Sequence, residues 1–210
     1  MLVAFDFDGT LSDAEMIDAL GDRAGVGAEI AAVTERAMDG EIAYAESLRE
    51  RAALLEGLDD DEAAAAFAAT RIRPGAGDLV DDLRAAGSRV VVLTGGFERG
   101  VAAALDAAGT AVDEVVANRL PVADGALTGA VEGPLIEGTK DDALRDLAAR
   151  EGLEPTETVA VGDGANDLPM LEVAGVAVGY APKPSVAPAC DVTVGSVAEL
   201  RSVFVERGLL

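Results

Sequence analysis

The sequence predicts an α/β protein: a doubly wound, mostly parallel sheet with a block of helices inserted after its first strand. Three observations carry this expectation. From Pro74 onward, short apolar runs alternate with stretches of helical period, as in βαβ units. A first apolar run, Leu2–Phe7, ends at the turn signal Gly9-Thr10 and suits the same buried sheet. Between these two parts, the pattern is helical from Asp13 to about Arg73. Residues 1–12 and 74–210 are therefore expected to form the core, and residues 13–73 a helical cap subdomain.

Within the insert, Ile17, Leu20 and Ala24 fall on one helical face, as do Ile30, Val33 and Ala37, and then Leu48, Ala52 and Leu55. Gly25-Val26-Gly27, Asp39-Gly40 and Gly57 divide it into several helices. The Ala-rich run Asp59–Thr70 makes one more. Pro74-Gly75 resets the pattern. Asp78–Ala86 reads as a helix closed by Gly87, and Arg89–Leu93 as an apolar strand ended by Thr94-Gly95-Gly96. A helix over Glu98–Ala108 and a short strand over Glu114–Val116 follow. Asp124-Gly125, between Leu120–Val122 and Ala126–Thr128, signals a β-hairpin near 117–133. Thr139 is placed to cap a helix whose first turn holds Asp141 and Asp142. Strands at Thr158–Val161, Val176–Val178 and Val192–Val194, with helices at Asn166–Ala174 and Val197–Arg207, complete the pattern.

Composition narrows the chemistry. The 210 residues contain no histidine, which removes Ser-His-Asp triads, Cys-His dyads and imidazole acid–base catalysis. With 39 acidic against 16 basic residues, the net charge is −23. That argues against nucleic acid and against an anionic membrane as partner, since both select basic patches. The acids are spread along the whole chain and only two basic residues are lysine. This distribution reads as a solvated, halophilic coat. The single Cys190 cannot form an intramolecular disulfide and reads as a small buried hydrophobe. The start, MLVAFDFDG, has no basic segment or cleavage site, and no apolar run approaches about 18 residues. A cytoplasmic protein is expected, as monomer or homodimer.

Four constellations carry chemistry. Asp6 and Asp8 are two apart at the end of a buried strand, so they share a side, where open α/β sheets place ligands. Turn chemistry alone could also explain them. Gly162-Asp163-Gly164-Ala165-Asn166-Asp167 lies between a strand and a helix and offers hard oxygen ligands suited to Mg²⁺; an Asp/Asn helix cap is the plainer reading. Thr94-Gly95-Gly96 offers a hydroxyl and free amides to a phosphate. Lys140 stands at a helix start, where a cation opposes the dipole unless an anion explains it. Lys183, between Pro182 and Pro184, reads as a surface lysine.

Taken in chain order, these positions converge on the carboxyl edge of one sheet, and together they assemble phosphoryl transfer through an aspartyl-phosphate. Asp6 is the nucleophile. Asp6, the Asp8 carbonyl and Asp163 hold Mg²⁺, with Asp167 behind them or joined through water. Lys140 and Thr94 meet phosphate oxygens, and Asp8 is the general acid and base.

These residues resemble the haloacid dehalogenase superfamily: DFDGT at 6–10, Thr94, Lys140 and GDGAND at 162–167 match its four motifs in order. Glu15 in SDAEMID, GEIAYAESLRER at 40–51, LTGGF at 93–97, ANRL at 117–120, DGALTGAVEG at 124–133 and AVGDGANDLPM at 160–170 narrow the resemblance to its phosphoserine-hydrolysing branch, over roughly residues 2–206. The resemblance implies a Rossmann-like core with a helical cap, and Mg²⁺-dependent hydrolysis of O-phospho-L-serine, the last step of serine biosynthesis. It implies that Glu15 meets the substrate ammonium, that Arg51 meets its carboxylate, that Tyr44 closes over the site, and that Gly95 N–H and Asn166 contact phosphate. From the residues alone, Glu15 and Arg51 read first as a solvated charge pair. Gly9 and Thr94 stand where close relatives often carry Ser, which bears on substrate more than on reaction.

Three alternatives follow. One is hydrolysis of, or phosphoryl transfer from, another small phosphorylated metabolite. Another is a receiver-like signalling module, disfavoured by the DFDGT order, the chain length and the helical insert. The last is a non-catalytic acidic binding protein.

Overall fold

The computed structural model describes residues 1–137 and 139–210. Its core is a six-stranded sheet of β1 (Leu2–Phe5), β2 (Arg89–Phe97), β3 (Glu114–Asn118), β6 (Thr158–Gly162), β7 (Val176–Tyr180) and β8 (Val192–Val194). The order is β3-β2-β1-β6-β7-β8, and every pairing is parallel. The chain winds outward from β1 in both directions, so the carboxyl end of β1 lies at the switch point, where such sheets open a crevice.

Alternation along the strands divides the core. Val3, Phe5, Val90, Val92, Val159 and Val161 face one cluster, while Leu2, Ala4, Val91, Leu93 and Ala160 face the other. On the first face lie α5 (Ala76–Ala85), α6 (Glu98–Ala108) and α9 (Val197–Glu206); on the second lie α7 (Lys140–Arg150) and α8 (Leu168–Val173). Phe5 and Phe204 meet edge to face, with ring centroids 6.1 Å apart.

Between β1 and α5 the chain forms α1 (Met16–Ala24), α2 (Gly27–Met38), α3 (Tyr44–Ala53) and α4 (Asp60–Ala69). Leu48, Ala52 and Leu55 are buried on one face as the spacing predicts, but of the α2 face only Ile30 is fully covered. The hairpin of β4 (Val122–Ala123) and β5 (Ala126–Leu127) straps this insert to the rest. The Leu127 N–H donates to the Leu58 carbonyl at 2.8 Å, the Gly57 N–H to the Leu127 carbonyl at 2.9 Å, and the Asp60 N–H to the Gly125 carbonyl at 2.9 Å.

Three expectations need correction. Thr139 precedes α7, but its hydroxyl donates to the Pro134 carbonyl at 2.7 Å and does not cap the helix. β2 does not stop at Leu93; it runs to Phe97 with a register shift against β3 between those residues. Cys190 is only half-buried, because it lies in the segment between β7 and β8.

Replacing Phe204 with Ala removes the edge-to-face partner of Phe5 and opens a cavity. The expected loss of stability is about 3–5 kcal/mol, read by denaturant unfolding at fixed salt; a loss below about 1 kcal/mol would show that the α9 face is not part of the cooperative core.

Candidate active site

β1 ends at Phe5, yet the backbone stays extended at Asp6 (φ −69°, ψ 163°) and at Asp8 (φ −68°, ψ 126°). The alternation therefore carries past the strand, and the buried Phe7 points away between the two carboxylates. Gly9 then turns the chain at φ +81°. A Cβ there would come within 2.5 Å of Asp163 Oδ1, so both the turn and the close approach require glycine at this position.

The centre of the site is an ion triplet. Lys140 Nζ donates to Asp6 Oδ1 at 2.6 Å and to Asp167 Oδ1 at 2.5 Å. All three side chains are sealed, at 3% exposure or less. Asp167 Oδ2 in turn accepts the N–H groups of Asp163 and Gly164, each at 2.9 Å. Asp163 Oδ1 accepts from the Thr10 hydroxyl at 3.2 Å. Ligand oxygens of Asp6, Asp163 and Asp167 lie within 4.8 Å of one another.

This triplet is one positive charge short. Burial and the Asp167 carboxylate push Asp6 up to about 8, against the pull of Lys140. Burial opposes the Lys140 ammonium, but Asp167 and Asp6 outweigh it and hold Lys140 above its usual value. Burial, followed by Asp167, raises Asp163 as well. A cluster of hard carboxylate oxygens with excess negative charge fits a divalent oxygen-seeking cation. Asp8 has a different environment. Burial first, then the Glu15 and Asp6 charges, lift it well above the carboxylate range, and its Oδ1 is buried without a partner. Asp6 is thus tied to an ammonium while Asp8 is buried without one, so the two carboxylates have different environments.

The β2 irregularity explains the second motif. The strand comes out of register after Leu93, and the Thr94 hydroxyl accepts the Gly96 N–H at 2.9 Å, leaving its own proton for an incoming oxygen. A Cβ at Gly96 would lie 2.7 Å from Asp8 Oδ2, so any larger residue there would displace Asp8.

From the insert, the Tyr44 hydroxyl packs against Gly95. Burial pushes the phenol up to about 12, so it stays a neutral donor. The Lys140 and Arg51 charges act against that rise, and Asp6 and Glu15 add to it. Arg51 is buried, and its Nε donates to the Ser47 carbonyl at 3.3 Å. Glu15 is exposed as a residue, but desolvation still raises its carboxyl, offset first by Lys183. The Asn166 amide folds over Gly164, with Oδ1 2.6 Å from where a Cβ would stand.

Three participants were not legible in the sequence. The fully buried Asn118 donates from Nδ2 to the Gly95 carbonyl at 3.0 Å and accepts the Leu135 N–H at 3.0 Å, fixing the loop after Leu93. Arg73 donates to the carbonyls of Thr10 and Gly9, each at 2.9 Å, while its guanidinium stacks 4.8 Å from the centre of the Tyr180 ring. Lys183 is exposed, as expected of a surface lysine, and its ammonium lies 3.9 Å from Asp163 Oδ2. Only the ANRL motif, which contains Asn118, offered a signal beforehand.

Comparison with known proteins agrees with this geometry. The family model for haloacid dehalogenase-like hydrolase matches residues 3–172. A phosphoserine phosphatase of Halobacterium salinarum is 62% identical over 208 residues, 99% of each chain. A solved phosphoserine phosphatase bearing a phospho-aspartyl intermediate analogue superposes with a TM-score of 0.89 at 36% identity, covering 96% of this chain and 97% of that one. A substrate-bound phosphoserine phosphatase complex gives a TM-score of 0.89 at 35% identity over the same shares.

The charge deficit has a measurable consequence. Below about pH 8 the metal-free protein holds a proton on Asp6, and a bound divalent cation displaces it. Calorimetric titration with Mg²⁺ at pH 7, in two buffers of different ionisation enthalpy, should read release of about one proton, fading above about pH 9. No proton release at pH 7 would contradict the charge assignment.

Proposed function

Because the chain belongs to the haloacid dehalogenase-like hydrolase family, we propose that it hydrolyses O-phospho-L-serine to L-serine and phosphate through a phosphoryl group carried on Asp6. The observation that carries this reading is the pairing of Asp6, fixed by Lys140 at 2.6 Å, with a buried Asp8 whose pKa is raised well above the carboxylate range. The activity of the similar enzymes supports the substrate.

Each residue has a derived task. Asp6 attacks phosphorus from the floor of the crevice while Asp8 gives its proton to the leaving seryl oxygen. Asp8, now ionised, takes a proton from the water that attacks the phospho-aspartate, and inorganic phosphate leaves. Lys140 has three N–H donors and spends two on Asp6 and Asp167, so its third can meet a phosphate oxygen. The Thr94 hydroxyl, the Gly95 N–H and Asn166 serve the remaining oxygens. Glu15 and Arg51 meet the substrate ammonium and carboxylate, and Tyr44 closes over Gly95. Asp6, the Asp8 carbonyl and Asp163 would hold Mg²⁺, with Asp167 behind them or joined through water. Bound there, the ion would ionise Asp6 and neutralise phosphate oxygens.

Residues 13–73 act in this reading as a cap subdomain strapped by the hairpin. The acidic coat makes the enzyme halophilic, working in the cytoplasm as monomer or homodimer at the end of serine biosynthesis. Neither nucleic acid nor a membrane surface is a partner.

A substrate panel tests the proposal. Phosphate release from phosphoserine, phosphothreonine, phosphoglycolate and sugar phosphates, with Mg²⁺ at several salt concentrations, should favour phosphoserine and weaken at low salt. Asp6→Asn should lose about 10³-fold or more of kcat. Preference for another ester would shift the substrate assignment, and an Asp6→Asn enzyme as fast as the parent would refute the mechanism.

A further inference from the structure

The chain has only two lysines against fourteen arginines, and both lysines stand at this site. Lys140 is sealed between two carboxylates. Lys183 is its opposite: its side chain is 46% exposed, and its ammonium, 3.9 Å from Asp163 Oδ2, makes no hydrogen bond among the described residues. Its backbone, by contrast, is fixed. Pro182 and Pro184 flank it, its N–H donates to the Asp163 carbonyl at 2.9 Å, and its own carbonyl accepts the N–H groups of Val186 at 2.8 Å and Ala187 at 3.1 Å. A partly exposed charge is thus tethered at the rim, beside Gly164, where a Cβ would lie 3.6 Å from Nζ. Lys183 is also the foremost opposite charge acting on Asp163.

We propose that Lys183 is a positioning residue that competes with the incoming metal: its ammonium screens Asp163 and yields it to Mg²⁺. This rests on the functional reading above for the role of Asp163. The residue type fits the task. A lysine is a point charge on a flexible stem and leaves a carboxylate at little cost, whereas an arginine would grip it with two parallel bonds. Without Lys183, Asp163 would lose its foremost opposite charge in a chain of net charge −23. Cation binding would then be tighter, and the metal-free protein less stable.

The test is calorimetric titration of Mg²⁺ into the full chain, parent against Lys183→Gln and Lys183→Arg, at the lowest salt at which the parent stays folded. Lys183→Gln should bind Mg²⁺ about two- to fivefold more tightly, and the difference should fade at about 3 M salt. Lys183→Arg, which keeps the charge, should bind no more tightly than the parent. Metal-free Lys183→Gln should melt below the parent, and Mg²⁺ should close that gap. Unchanged Mg²⁺ affinity would make Lys183 a solvated lysine. Weaker affinity would make it a structural one. A raised KM for phosphoserine with unchanged Mg²⁺ affinity would make it a substrate-binding cation. Each of these outcomes overturns the proposal. A parent that binds Mg²⁺ but leaves phosphoserine intact refutes only the substrate assignment, and the Mg²⁺ comparison still decides on Lys183. A parent that binds no Mg²⁺ refutes both.

Discussion

One ammonium holds the working parts of this protein together. Lys140 is separated by 134 residues from Asp6 and by 27 from Asp167, and it bonds both within a sealed space. It stands on the first turn of α7, where the helix dipole disfavours a cation, and burial disfavours it further. Two carboxylates more than offset those costs. Removing the lysine would leave two like charges facing each other in low dielectric, a change of about 3–5 kcal/mol in comparable buried pairs. The triplet therefore fixes the ends of β1 and β6 and the start of α7 relative to one another. Asp6, the proposed phosphoryl acceptor, is held by the same contact that holds the fold.

The rest of the site is arranged around that fixed point by backbone geometry. The register shift in β2 frees the loop at Thr94, and Asn118 then pins it through the Gly95 carbonyl. Arg73, where the insert returns to the core, clamps the carbonyls of Gly9 and Thr10. Tyr44 reaches Gly95 from the opposite side. The turn carrying Asp8 is thus held from the core, and the space above it is closed from the insert, which the hairpin keeps in place.

Much of this was legible in the sequence, for physical reasons. The central strands are buried on both faces, so they read as apolar runs, and the polar residues at their ends stand out against them. Asp6, Asp8, Thr94, Lys140 and Asp163 announced themselves as polar residues where apolar or helix-favouring ones were due. Asn118 did not, because an amide that bonds two backbone groups 17 and 23 residues away has no local pattern. Arg73 and Lys183 look like surface cations, and only the sheet order places them at the mouth. The amphipathic pattern misled at α2, where Val33 and Ala37 continue the stripe begun by Ile30 but remain only partly covered.

The charge of −23 describes the coat and hides the site. An anionic substrate approaches a protein of the same sign, so attraction must be local. In the proposed reading Arg51 and Lys140 provide it within the crevice, while salt screens the coat beyond about 8 Å at physiological strength. The central claim is that phosphorus passes to Asp6, and covalent trapping reads this directly. Parent enzyme mixed with labelled phosphoserine and Mg²⁺, quenched in acid within one turnover and digested, should yield the label on the peptide that contains Asp6. Label on any other residue, or transfer to water with no labelled protein at any quench time, would contradict the account.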